Sequence, residues 1–328
     1  MNILVFGKDG QLGRALHTLF ESKGGLGQNP HHHIQYVGRA ECDLSQLQSI
    51  RALLDLAQPN CIINAAAYTA VDQAQSKSAL AYAINAHAPG EMARYAAEHG
   101  ATLLHYSTDY VFDGVKPTAY CETDARNPLS IYGKSKAAGE EAIENAFSAA
   151  QQGQFAIFRT SWVYGAGNNF IRTILRLARE RANLSVVADQ YGIPTSADWL
   201  AQVSVAFLFD KGDYPRQFTS GVYHVVPAGE LSWHALACWV VKTAREAGAV
   251  LKLTENAIAA IPAVEYPLPA PRPMNSRMRT DTLLQQMKAQ GDVSKSSHSI
   301  AALEALWNRQ WQHDVEAYVR ALVNHPSL

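Results

Sequence analysis

A tyrosine and a lysine four residues apart, Tyr132-Gly-Lys-Ser-Lys136, are the pair in this chain best placed to do chemistry. On a helix, positions i and i+4 share one face, so the phenol and the ammonium can meet across one turn. A free phenol titrates near pH ~10. A cation close by favours the phenolate and lowers that value, which would suit Tyr132 to protonate a carbonyl oxygen. Upstream, Ser107-Thr108-Asp109 places a hydroxyl just beyond the strand-like run Thr102 to Ser107, at the edge where doubly wound folds bind ligands. Read singly, Tyr132 is a surface residue at a helix N-terminus and Lys136 a solvated lysine; their company argues otherwise.

Part of that company is Gly7-Lys-Asp-Gly10-Gln11-Leu12-Gly13, which follows the first apolar run and opens the first helical one. There a dinucleotide's pyrophosphate rests on exposed amides and the positive helix end. With a nicotinamide bound at this turn, Thr108 orients and polarises a C=O, Tyr132 delivers a proton as hydride arrives, and Lys136 lowers the phenol pKa and holds the nicotinamide ribose. The second strand ends in Gly38-Arg39, without the carboxylate that binds a ribose 2′-hydroxyl in NAD enzymes. Arg39 can clamp a 2′-phosphate, so NADPH is expected, with NADH the alternative. Asp43, followed by Leu44, lies near the adenine or else caps the next helix. Ala65, Ala66 and Ala67 leave the strand Cys61 to Asn64 with small side chains, allowing close approach of a cofactor or tight helix packing.

These residues must be held by regular elements. Apolar runs at Ile3 to Phe6, Ile34 to Val37, Cys61 to Asn64, Thr102 to Ser107 and Phe155 to Arg159 alternate with amphipathic stretches at Leu12 to Phe20, Leu47 to Ala57, Ser78 to His99 and Tyr132 to Phe147. That alternation predicts an α/β fold, a Rossmann-type doubly wound parallel sheet with a smaller C-terminal α/β substrate-binding domain. Residues 1–164, with a return segment at about 196–228, form the dinucleotide-binding domain; residues 165–195 and 229–328 form the substrate domain. Later elements are a helix at Asn169 to Glu180, a strand at Leu184 to Val187, a helix at Asp198 to Phe209, a strand at Gly221 to Val226 and a helix at Trp233 to Ala247. A proline-dense segment, Pro262 to Pro273, follows, and an amphipathic helix from Ile300 to Val323, broken near Trp311, closes the chain.

The chain has 328 residues, 48% hydrophobic and 17% charged, with a net charge of −1. Nothing here provides the basic excess that nucleic acid or an anionic membrane calls for, so the expected partner is a small molecule. Met1 to Phe6 reads as a strand rather than a leader, no run approaches the ~18 apolar residues of a membrane span, and four cysteines lack metal or redox spacing. A reduced, cytoplasmic protein is expected. His31-His32-His33 has no nearby acidic or cysteine partner, so no metal site is assigned.

The chain resembles the extended short-chain dehydrogenase/reductases and, within them, the dTDP-4-dehydrorhamnose reductase family. The resemblance rests on the glycine turn, Asn64-Ala-Ala-Ala-Tyr-Thr-Ala-Val-Asp72, His105-Tyr-Ser-Thr-Asp-Tyr-Val-Phe-Asp-Gly114 and Asn127-Pro-Leu-Ser-Ile-Tyr-Gly-Lys-Ser-Lys136. It continues through Phe158-Arg-Thr-Ser-Trp-Val-Tyr164, Gly167-Asn-Asn-Phe170, Asp189-Gln-Tyr-Gly-Ile-Pro-Thr195 and Arg272-Pro-Met-Asn-Ser276. It implies NAD(P)H-dependent reduction of the C4 ketone of dTDP-6-deoxy-L-lyxo-4-hexulose to dTDP-L-rhamnose. Tyr132, Lys136 and Thr108 match the family's catalytic set, while Thr108, Asp109, Trp162, Asn169 and Arg272 match positions around the nucleotide-sugar substrate. Arg272 is expected to clamp the pyrophosphate, Trp162 to pack on sugar carbons and Asn169 to bind the nucleotide portion; alternatively Trp162 is core and Arg272 pairs with a carboxylate. Gly38 stands where many members carry an acid, and Gln73 and Gln75 replace a charged pair. Some relatives dimerise around Mg2+ held by glutamates; Ala15 replaces the first-helix glutamate, which argues against a magnesium bridge and leaves monomer or homodimer open. Competing readings are another nucleotide-sugar reductase or epimerase, and a catalytically silent NADP-binding regulatory subunit.

Overall fold

Four consecutive buried residues, Ile3, Leu4, Val5 and Phe6, require a strand covered on both faces. The computed structural model, which describes residues 1–150, 152–210, 215–290 and 304–325, places them in β1 (Asn2–Phe6), one strand in from the edge of a parallel sheet. The others are β2 (His33–Val37), β3 (Cys61–Asn64), β4 (Thr102–Thr108), β5 (Gln154–Thr160) and β6 (Gly221–His224). Among the described residues the order is β6-β5-β4-β3-β1-β2, every pairing parallel. The order reverses between β1 and β3, so the crevice beyond their carboxyl ends is where this topology binds ligands.

One face of the sheet packs Leu12, Leu16 and Phe20 of the helix Gln11–Glu21 against Trp199, Leu200, Val203 and Phe207 of the helix Ala197–Leu208. The other buries Ile50 and Leu54, Met92 and Ala96, and Ile143 from the helices Leu47–Ala57, Ala88–His99 and Ile131–Phe147. Each fully buried large apolar side chain contributes about 1.5–3 kcal/mol. A third core joins the helices Phe170–Glu180, Trp233–Glu246 and Trp311–Asn324. This is the Rossmann-type doubly wound architecture expected.

Several local details depart from the expectation. The stretch Ser78 to His99 is interrupted by a wide helical turn at Ala83–His87. Its buried Asn85 accepts from Tyr68 N at 2.8 Å and donates to Ser135 Oγ at 3.0 Å, tying the loop after β3 to the helix of Tyr132. The helix Asp281–Gln290 has no counterpart in the sequence pattern, and residues 300–303 of the expected last helix lie outside the described residues. No helix among the described residues is long and apolar enough to cross a membrane.

Candidate active site

The carboxyl ends of β1, β3, β4 and β5 open onto a cleft of about 970 Å3. Gly7, Gly10, Gln11 and Leu12 line one end, with Arg39, Asp43, Leu44, Ala65, Ala66 and Ala67 around it. Thr108, Asp109, Tyr132, Lys136 and Trp162 line the other. Gly10 is the N-cap of the first helix and no side chain caps it, so the first-turn amides face the cleft unclaimed by a side-chain cap, as a pyrophosphate requires.

Gly13 does not line the cleft. A Cβ there would lie 2.0 Å from the Gly7 carbonyl oxygen, so its role is to let the helix close onto the turn. Gly13→Ala is expected to destabilise the fold by about 1–3 kcal/mol through overpacking and to abolish cofactor binding, read by thermal melting and by titration with NADPH.

Asp43 accepts from both Ser45 N and Ser45 Oγ, at 2.9 and 2.8 Å, so it holds a turn at the cleft wall; the next helix starts after Gln46, and no side chain caps it. The strand end after β2 is not free of carboxylates. Glu41 folds back to accept from Gly38 N at 2.8 Å and is neutralised by Lys8 at 2.5 Å, a pairing that sequence spacing does not reveal.

Tyr132 is presented in the first turn of the helix Ile131–Phe147, where Ser130 Oγ accepts from Gly133 N at 3.1 Å. Gly133 lets that turn approach the Tyr110 carbonyl, which a Cβ would meet at 2.2 Å. The Tyr132 ring meets Tyr110 edge-on, with centroids 5.4 Å apart. Burial pushes the phenol up to about 12, opposed by its hydrogen bond with Thr108. In this structure desolvation outweighs any lowering of the phenol by the Lys136 ammonium. Lys136 Nζ is turned instead to the Tyr106 carbonyl at 2.6 Å and to His105 Nε2 at 3.1 Å. Burial brings the ammonium down to about 8, against the pull of Glu140 one turn on.

Thr108 Oγ1 donates to Asp109 Oδ1 at 3.0 Å and accepts from Tyr110 N at 3.2 Å. Asp109 also accepts from Ser276 Oγ, and burial raises its carboxyl to about 6. Trp162, at φ 46°, stacks on Trp233 with ring centroids 3.5 Å apart, forming an aromatic wall.

Asn169 and Arg272 are both engaged with other protein groups in this structure, and neither lines the cleft. Asn169 Oδ1 caps the helix Phe170–Glu180 by accepting from Arg172 N at 3.1 Å, and its amide donates to Gly165 O and Tyr318 Oη, each at 2.9 Å. Those bonds occupy its amide hydrogens and tie it to the helix start, while its neighbour Asn168 lines the cleft. Arg272 grips Asp72 through two parallel bonds of 3.0 and 2.8 Å, the carboxylate pairing weighed as its alternative.

Sequence reasoning missed Trp233 and Thr160. Nothing in the sequence signals Trp233, which comes from the C-terminal half. Thr160 was legible: it ends β5 in register with Thr108, and its buried Oγ1 has no partner among the described residues while it lines the cleft. Among the described residues, no group of three or more His, Cys, Asp or Glu is arranged to hold a metal ion.

The family model of the RmlD substrate binding domain matches residues 1–319. The dTDP-4-dehydrorhamnose reductase of Salmonella typhimurium (strain LT2) is 44% identical over 282 residues, covering 86% of this chain and 90% of that protein. The chain belongs to the dTDP-4-dehydrorhamnose reductase family. Two solved members agree in fold. The enzyme of Clostridium acetobutylicum superposes with a TM-score of 0.80 at 30% identity, over 98% of this chain and 99% of that one. That of Bacillus anthracis, in complex with NADP, gives 0.77 at 30% identity over 97% and 98%. Tyr132, Lys136 and Thr108 line one cleft here.

Proposed function

We propose that this chain reduces the C4 ketone of dTDP-6-deoxy-L-lyxo-4-hexulose with NADPH, giving dTDP-L-rhamnose. The observation that carries the reading is the meeting of Thr108, Tyr132 and Lys136 in one cleft with an uncapped glycine turn, in a chain 44% identical to a reductase of that name. Bound NADPH supplies the hydride that reduces the carbonyl carbon. Its pyrophosphate fits the amides beyond Gly10, and the unpartnered Thr160 hydroxyl offers a further polar contact within the cleft. Tyr132, kept protonated by its burial, donates the proton to the substrate oxygen. Thr108 positions that oxygen, and the Lys136 ammonium stabilises the negative charge left on the phenol.

The aromatic wall of Trp162 and Trp233 takes the apolar face of the sugar. Arg272, exchanging Asp72 for the substrate's diphosphate, would supply its clamp, since the same planar fork matches either anion. The segments 165–195 and 229–328 act as the substrate-covering part, and 1–164 with about 196–228 as the dinucleotide domain.

Arg39 sets the preference for NADPH. Arg39→Ala is expected to weaken NADPH binding roughly 10- to 100-fold, the loss of one charge-assisted contact, while NADH binding changes little. Titrating both cofactors checks this, and equal losses would remove Arg39 from the 2′-phosphate. The function itself is tested by following NADPH oxidation with the keto-sugar made in the same tube by the upstream dehydratase and epimerase. Rhamnose formation supports the reading; NADPH binding without turnover, with active upstream enzymes, would point to a silent subunit.

A further inference from the structure

Asn64, His105 and Lys136 form a buried line of side chains behind the reactive cleft, each 1% exposed or less. Asn64 Oδ1 accepts from the backbone N–H of Ala66 at 3.2 Å, which fixes the amide: its NH2 must face His105 Nδ1, 3.0 Å away. A neutral imidazole carries one proton, so Nδ1 accepts from Asn64 and the proton sits on Nε2. That N–H points at Lys136 Nζ, 3.1 Å off. An ammonium has only N–H bonds to offer in return, whereas an amine presents a lone pair and still donates to the Tyr106 carbonyl at 2.6 Å.

We propose that His105, its tautomer locked by Asn64, is a positioning residue that makes the Lys136 proton easy to release. The inference deepens the reductase reading and rests on it. After Tyr132 gives its proton to the substrate oxygen, Lys136 can return one to the phenolate; the resulting amine accepts from His105 Nε2, and water restores the ammonium. One proton is drawn from solvent per turnover, and no group is oxidised or reduced in this exchange. The burial of both groups agrees: His105 is held well below its ordinary value, so it stays neutral, and Lys136 is the stronger acid of the lysine–tyrosine pair.

Other charged and titratable groups facing Lys136 are few. Glu140, one turn on, favours the ammonium but is itself gripped by Arg159 of β5 and by Arg126, with Ser107 donating to it. Tyr132 lies one turn back on the same helix. Beside His105 in the sheet, β3 contributes Asn64 and β5 the apolar Ile157.

The test has two readouts. With 15N-labelled histidine, the ring signals that vanish in His105→Gln identify His105 in the intact enzyme; Nε2 is expected to be protonated and Nδ1 bare. An Nδ1-protonated ring or an imidazolium overturns the proposal, whether or not the chain turns over its substrate. The second readout is the alkaline fall of kcat as Lys136 loses its proton, expected near pH 8 in the native enzyme. Asn64→Asp would draw the proton to Nδ1, turn Nε2 into an acceptor and move that fall upward by roughly one pH unit or more. His105→Gln, which can offer a carbonyl oxygen to Lys136, moves it the same way and carries the test if Asn64→Asp does not fold. An unmoved limb in a folded variant overturns the proposal, because a merely structural role changes stability or rate without shifting the limb. A native enzyme that never turns over fails the reductase reading instead and leaves the tautomer measurement to decide this one.

Discussion

Replacing Tyr132 by phenylalanine is expected to lower kcat by roughly 100- to 10,000-fold, the usual worth of a positioned acid. The substitution removes one oxygen and keeps the ring, which is held edge-on by Tyr110 and sits in a helix start secured by Ser130. Fold and cofactor binding should therefore be near native, with the NADPH dissociation constant changed by no more than a few-fold. The loss is chemical. Because burial keeps the phenol protonated well above neutrality, Tyr132 is a donor throughout the working range, and its removal leaves Thr108 to polarise the carbonyl without completing the transfer. Single-turnover rates with NADPH and the keto-sugar are the measurement; a variant within about tenfold of the native rate would place the proton donor elsewhere.

Glu140→Gln is expected to cost about 3–5 kcal/mol of stability, although Glu140 touches no ligand. Its carboxylate is fully buried and accepts from Arg159 Nε at 2.9 Å and Arg159 Nη2 at 2.6 Å, with Arg126 Nε 3.2 Å away. Arg159 is itself 1% exposed, so the amide leaves a guanidinium in the protein interior with its counter-charge gone. Lost Coulomb attraction and an amide N–H facing guanidinium N–H groups act together. Denaturant unfolding should show a lower midpoint with an unchanged slope. Glu144→Gln is the control: it breaks the more exposed contact to Arg126 and should cost about 1 kcal/mol or less. A Glu140→Gln loss no larger than the control's would mean the interior tolerates the unpaired arginine.

The strands at Cys61–Asn64 and Leu184–Val187 and the helix Leu47–Ala57 run as the pattern of apolar residues predicts, because burial on one or two faces writes its period directly into local sequence. The wide turn at Ala83–His87 left no such mark. It follows from Asn85 reaching Tyr68 and Ser135, partners far along the chain. The helix Asp281–Gln290 was likewise obscured, having a weak apolar face and following a proline-dense stretch.

For the site, the types and spacing of Gly7, Gly10, Thr108, Tyr132 and Lys136 in the sequence determined which residues would gather and what chemistry they suit. Backbone amides, a helix turn and a strand end are local objects with local signatures. Tertiary structure alone decided what each side chain is paired with. It spends Asn169 on a helix cap, holds Arg272 on Asp72, balances Glu41 with Lys8, sets Trp233 against Trp162 and turns Lys136 toward His105. The physical reason is that hydrogen bonding, ion pairing and desolvation depend on distance in space, and Asp72 and Arg272 become neighbours only once the chain between them has folded.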